Sequence, residues 1–168
     1  MTSTYRPRRS VLYMPAANER ALEKAKEIEA DALIFDLEDA VAPDAKELAR
    51  EQACSAASST EYGKRELTIR CNGLDTPWGR DDVLAAASAA PSAVVIPKVD
   101  GPEYLDEISS LLEAGGAPSS TQIWAMVETP TGILNVSQIA HHERMSVMVM
   151  GTNAVSYTHL TLPTKRIV

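Results

Sequence analysis

Aromatic side chains are scarce: one Phe, two Trp and five Tyr make up 5% of 168 residues. A core therefore has to be built mainly from Ala, Val, Ile and Leu, within an apolar fraction of 45% that is ordinary for a globular domain. Cysteine is scarcer still. Cys54 and Cys71 are too few for a disulfide framework or a cysteine metal cluster, and two reduced thiols in a cytoplasmic protein are expected. Positive charge is also short, with 16 Lys and Arg against 23 Asp and Glu. The resulting −7 argues against nucleic acid or an anionic membrane surface as a general partner. No apolar run reaches the about 18 residues of a membrane-crossing helix. The opening stretch "MTSTYRPRRSVLYMPA" is not expected to act as a secretory signal, because its apolar part is short and Pro15 interrupts it.

What is present is alternation, over a length that fits one domain. Six short apolar runs recur: "SVLYMPA" (10–16), "ALIFDLED" (32–39), "ELTIRCN" (66–72), "AVVIPKV" (93–99), "IWAMVET" (123–129) and "MSVMVMGTN" (145–153). Several are almost continuously apolar, as strands covered on both faces are. Helical segments separate them. Asn18 is placed to cap "ERALEKAKEIEA", with Ala21, Ala25 and Ile28 on one stripe. Pro43 opens "PDAKELAREQACSAAS", where Ala45, Leu48, Ala49, Ala53 and Ala56 share a face. "PEYLDEISSLLEAGG" spaces Tyr104, Leu105, Ile108, Leu111 and Leu112 helically and stops at Gly115 and Gly116. "DDVLAAASAA" and "GILNVSQIAHH" supply two more. Strand followed by helix, repeated, specifies a right-handed α/β architecture.

Periodicity alone does not separate an open doubly wound sheet from a closed TIM (β/α)8 barrel. The polar residues do. Asp36, Glu38 and Asp39 end the second run, Arg70 and Asn72 the third, Lys98 the fourth, Glu128 the fifth, and Thr152 and Asn153 the sixth. A barrel gathers such strand ends into one mouth, whereas an open sheet spreads them along an edge. Arg70 and Lys98 are then placed to neutralise the acidic cluster. About strands 1–6 of 8 are accounted for, giving a partial barrel domain over 1–153. The remainder, "AVSYTHLTLPTKRIV" (154–168), has no helical stripe and carries Pro163 mid-way, and reads as a tail foreign to the domain. Two unpaired sheet edges predict that the chain alone is unstable or aggregates.

The ordered set "RRSVLYMP", "FDLEDAV", "IRCNG", "IPKV" and "MVETPTGILN" resembles the citrate lyase β-subunit-like branch of the HpcH/HpaI aldolase family over residues of about 8–153. The resemblance implies a magnesium-dependent carbon–carbon lyase acting on a 3-hydroxy acyl-CoA such as citryl-, malyl- or citramalyl-CoA, with a CoA thioester as partner and a homo-oligomer for the full-length protein. It implies that Glu128 is a metal ligand and that Arg70 grips the substrate carboxylate, a task suited to a guanidinium fork. Asp36 and Asp39, with Glu38, become groups that hold metal-bound water and orient Arg70 or Lys98. Lys98 is an electrostatic partner at the mouth. Arg6, Arg8 and Arg9 form a patch able to meet coenzyme A phosphates, and Thr131 and Gly132 offer helix-start N–H groups to an anion. One departure stands out. Where the family carries a second metal carboxylate, this sequence reads "GTNA", with Ala154 at that position, which predicts weak metal binding and impaired activity. His141, His142 and His159 have no ligand spacing. Two other readings compete: a phosphoacceptor receiver-like domain, and a non-catalytic α/β domain that binds acyl-CoA.

Overall fold

The computed structural model describes residues 6–151. All six predicted strands form: β1 (Val11–Pro15), β2 (Ala32–Asp36), β3 (Glu66–Arg70), β4 (Ala93–Ile96), β5 (Gln122–Val127) and β6 (Met145–Met150). They make one parallel sheet in the order β1-β2-β3-β4-β5-β6, each strand paired with the next. Every crossover therefore steps the same way. A doubly wound sheet, receiver domains included, must reverse direction at a switch point, and this sheet has none. The receiver-like reading fails on that ground, and the winding is that of a barrel. Among the described residues β1 and β6 are each paired on one side only, and Val11, Tyr13, Met148 and Met150 on them are exposed.

The helices follow the sequence with instructive exceptions. In α1 (Glu19–Ala25) the Asn18 side chain accepts from the Ala21 N–H at 3.1 Å, as expected of a cap. The helix stops five residues before the predicted segment ends and leaves Ile28 outside it, where the Ile28 carbonyl accepts from Arg65 Nε at 2.8 Å instead of continuing a helical ladder. Pro43 opens a 3₁₀ turn (Pro43–Ala45) that leads into α2 (Lys46–Ser58). Its buried stripe is Lys46, Ala49, Ala53 and Ala56, while Leu48, predicted to share that face, is 52% exposed. Ala49, Ala53 and Ala56 are shared with the predicted stripe, but Lys46, whose ammonium is bound inside, is on it in place of Ala45 and Leu48. Helix α3 (Gly79–Ala89) ends on Ala90 in the left-handed region at φ 52°. In α4 (Pro102–Ala114) Leu105, Ile108, Leu111 and Leu112 are buried and Gly115 ends the helix. The segment read as one helix from 132 splits at Asn135 into α5 (Pro130–Leu134) and α6 (Val136–Ala140). Asn135 Nδ2 donates to the Asp100 carbonyl at 2.8 Å, tying that break to the β4–α4 loop.

Alternation along each strand yields two apolar layers. Leu33, Phe35, Ile69, Val94, Ile96 and Ile123 face the helices. Ala32, Ile34, Ala93, Val95, Trp124 and Met126 face the other way and pack together, with Val147 and Val149 against them. Asp36, Arg70 and Glu128 continue the second set, so they stand on the inner face at the C-terminal ends of their strands. At the N-terminal ends the same layer is closed by Arg8, which lies over the Trp124 ring (5.3 Å) and meets Glu66 through two hydrogen bonds of 2.6 and 2.8 Å. Arg9 pairs with Asp31 at 2.9 Å on that same end.

Candidate active site

The pairing register sets Asp36 directly beside Arg70. Arg70 Nε and Nη2 donate to Asp36 Oδ1 and Oδ2 at 2.6 and 2.5 Å, a fork-on-fork pair with both residues buried. Nη1 meets Glu38 Oε2 at 2.8 Å. Asp39 stands at 3.8 Å with its side chain 85% exposed, at the edge of the cluster. Burial works against charge on Arg70, but hydrogen bonding and charge from Asp36, with Glu38 adding to them, hold its pKa above the ordinary value. A second cation sits underneath: Lys46 Nζ donates to the Leu37 and Glu38 carbonyls (2.6 and 2.7 Å) and to Asn72 Oδ1 (2.8 Å). Asn72 in turn donates to Asp82, which is bound by Arg50. Three clustered acids are tolerable because one guanidinium spans them and a buried ammonium holds their backbone.

Glu38 carries the most altered carboxyl at the rim. Burial pushes its pKa up to about 7; Arg70 opposes this, Asp39 and Glu128 reinforce it, and Lys98 opposes it again. A carboxyl that holds its proton more tightly when folded makes the fold lose stability as pH rises, here between its ordinary 4.5 and about 7. Glu38→Gln is therefore expected to flatten that part of the curve when Tm is followed against pH. An unchanged slope would reject the burial argument.

Glu128 follows β5 directly and accepts from the Lys98 backbone N–H through Oε1 at 2.9 Å. Lys98 takes a left-handed backbone at φ 51°, a conformation that costs a side-chain-bearing residue about 1–2 kcal/mol. The hydrogen bond to Glu128, and that of Val99 N–H to the Met126 carbonyl (3.1 Å), hold it there. A Cβ at Gly151 would lie 2.5 Å from both Glu128 Cβ and Oε2, so only glycine leaves this carboxylate its place. The fields of Arg70, Glu38 and Glu128 all reach Tyr13, which lies over the Arg70 guanidinium with 5.2 Å to the ring centre. One rim thus carries Arg70, Glu38, Glu128 and Tyr13. Beside it, an open cavity of about 350 Å³ is lined by Asp75, Lys98, Asp100, Tyr104 and Thr129.

The structure thus brings Arg70, Asp36 and Glu128 to one rim, with Asp39 and Lys98 at its margin. It does not bring Arg9 there. Arg9 precedes β1, so it lies at the N-terminal end of the sheet, with its guanidinium on Asp31, and Arg8 is committed to Glu66 on the same end. Nor is the Gly132 N–H open to an anion, since it donates to the Thr129 hydroxyl that caps α5. Asn72 is structural. Thr152, Asn153, Ala154, the tail 154–168 and His159 lie outside the described residues. Sequence reasoning missed Tyr13, Lys46 and Gly151. Tyr13 alternates with Leu12 and Met14 and could have been placed on the inner face by period two; a lysine in a helix carries no comparable signal.

The HpcH/HpaI aldolase/citrate lyase family profile matches residues 9–161. The chain belongs to this family. Among its relatives, a (3S)-malyl-CoA thioesterase of Cereibacter sphaeroides (strain ATCC 17025 / ATH 2.4.3) is 47% identical over 147 residues, covering 88% of this chain and 50% of that protein. Citrate lyase subunit beta of Escherichia coli (strain K12) is 36% identical, covering 87% and 50%. A crystal structure of protein CitE from Mycobacterium tuberculosis in complex with magnesium, acetoacetate and coenzyme A superposes with a TM-score of 0.75 at 25% identity, covering 97% of this chain and 56% of that one. The chain spans about half the length of the curated relatives it matches. The sequential parallel sheet is the incomplete α/β barrel expected of a member of this family. Among the described residues no helix is long and apolar enough to cross a membrane.

Proposed function

We propose that this rim serves a magnesium-dependent carbon–carbon lyase acting on a 3-hydroxy acyl-CoA, giving an acyl-CoA and an α-keto acid. The observation that carries the reading is the shared mouth of Arg70 and Glu128, which stand on one face of the parallel sheet at the C-terminal ends of β3 and β5. Malyl-CoA-like esters are the favoured substrates, since the relative 47% identical bears that name.

In the cleavage the bond between C2 and C3 breaks, the 3-hydroxyl loses its proton to water at the open mouth and becomes the keto acid's carbonyl, and the electron pair passes to the thioester fragment as an enolate, which takes up a proton from water at C2 to give the acyl-CoA. Arg70 has three of its five N–H donors on Asp36 and Glu38 and a fourth, on Nη1, against the weak acceptor Met126 Sδ at 4.0 Å, so one on Nη2 is free for the keto acid's carboxylate and the Nη1 donor is readily exchanged for it. Asp36 orients that guanidinium, since both its oxygens accept from Arg70. Asp39, exposed, is available to solvent water at the mouth. Magnesium fits the donor set in part. Glu128 offers a hard oxygen on the side cleared by Gly151, and this ion is commonly held by one or two carboxylates plus water. Among the described residues no group of three candidate ligands converges, and Ala154 stands where the family resemblance expects a second carboxylate. When bound, the ion would polarise the keto-acid carbonyl as a Lewis acid.

The test is release of an α-keto acid from malyl-, citramalyl- or citryl-CoA. Release that requires magnesium, disappears in Glu128→Gln and rises in Ala154→Asp is expected. Thioester binding without keto-acid release in either the parent or Ala154→Asp would favour the non-catalytic acyl-CoA-binding reading instead.

A further inference from the structure

Tyr13 occupies the inner face of β1, between Leu12 and Met14, which pack toward the helices. Its ring covers one face of the Arg70 guanidinium at 5.2 Å, while 38% of the residue remains open at the mouth. Its hydroxyl makes no hydrogen bond within the described residues, in a rim where Asp36, Glu38 and Arg70 are all paired. We infer that the Tyr13 hydroxyl donates a hydrogen bond to the carboxylate of an α-keto acid seated on the Nη edge of Arg70. This rests on the reading of the rim as a keto-acid site.

Two features support the assignment. The ring fixes Arg70 from one face while Asp36 fixes it in the plane, so the free Nη2 hydrogen and the Nη1 hydrogen held only by Met126 Sδ have a defined direction. Burial raises the phenol's pKa; Arg70 opposes this, and Asp36, Glu128 and Glu38 reinforce it. Tyr13 thus stays a neutral donor at physiological pH. A neutral donor suits a carboxylate here, because it adds a hydrogen bond without competing with Arg70 for the acids of the cluster.

The decisive variant is Tyr13→Phe, which keeps the ring over Arg70 and removes only the hydroxyl. Pyruvate binding in saturating magnesium, measured by calorimetry on the full chain, is expected to weaken about tenfold, the size of one hydrogen bond to a charged group. The melting temperature should be unchanged. A second measurement uses 3-fluorotyrosine at position 13, whose ¹⁹F signal is expected to move on addition of pyruvate in the parent chain and not in Glu128→Gln. If Tyr13→Phe binds pyruvate as the parent does while Glu128→Gln does not bind it, the tyrosine assignment falls and the rim reading stands. If the parent itself binds neither pyruvate nor glyoxylate, the product expected from a malyl-CoA-like ester, and shows no ¹⁹F shift with either, the keto-acid reading falls and takes the tyrosine with it.

Discussion

Arg70→Met is expected to lower unfolding stability by about 3–5 kcal/mol, measured by urea titration at neutral pH. The size follows from what is left behind rather than from the ion pair itself. Asp36 is 2% exposed, and both its carboxylate oxygens accept from Arg70. Without the guanidinium that charge is buried with only the Glu38 N–H, at 2.8 Å, to compensate it. The double variant Arg70→Met/Asp36→Leu should recover a large part of the loss, because it removes the orphaned charge along with its partner. A single-variant loss below about 1 kcal/mol would place the pair among weakly coupled surface bridges and refute its burial.

The second large effect is on binding. Glu128→Gln should weaken magnesium-dependent keto-acid binding on the order of 10²-fold or more, because a neutral amide replaces the anionic oxygen best placed at the rim to meet a hard cation. Its fold should survive, since an amide oxygen can still accept from the Lys98 N–H. Gly151→Ala is expected to act in the same direction without touching the carboxylate chemically: the added Cβ meets Glu128 at 2.5 Å and must displace it. Titration calorimetry with magnesium and pyruvate reads both variants. Equal affinity in Glu128→Gln and the parent would remove Glu128 from the metal site.

How far the site was legible depends on which residue is considered. Glu128 and Arg70 were visible because each follows a short apolar run, and the ends of parallel strands share one side of a sheet. The same rule would have excluded Arg9, which precedes β1 and so belongs to the opposite end; its basic character drew attention away from its position. Leu48 was misplaced because a run of alanines fits several helical stripes, and the one chosen by the fold is fixed by Lys46, whose buried ammonium no hydrophobicity pattern predicts. Tyr13 escaped because an aromatic residue in a strand is ordinary core material until something polar is found against its face.

The order of strands and helices, the cap at Asn18, the turn opened by Pro43, the two-sided apolar layers and the acidic strand end at 36–39 were all determined by the sequence alone. These features are local, set by spacing over fewer than about ten residues. Only the tertiary structure decided that Asp36 meets Arg70, 34 residues away along the chain, that Lys46 turns inward, that Gly151 makes room for Glu128 and that Arg8 and Arg9 close the far end. Each of those depends on strand register and on which charge finds which partner across the sheet, and a one-residue slip in register would leave every local pattern intact while turning each of these contacts to the other face.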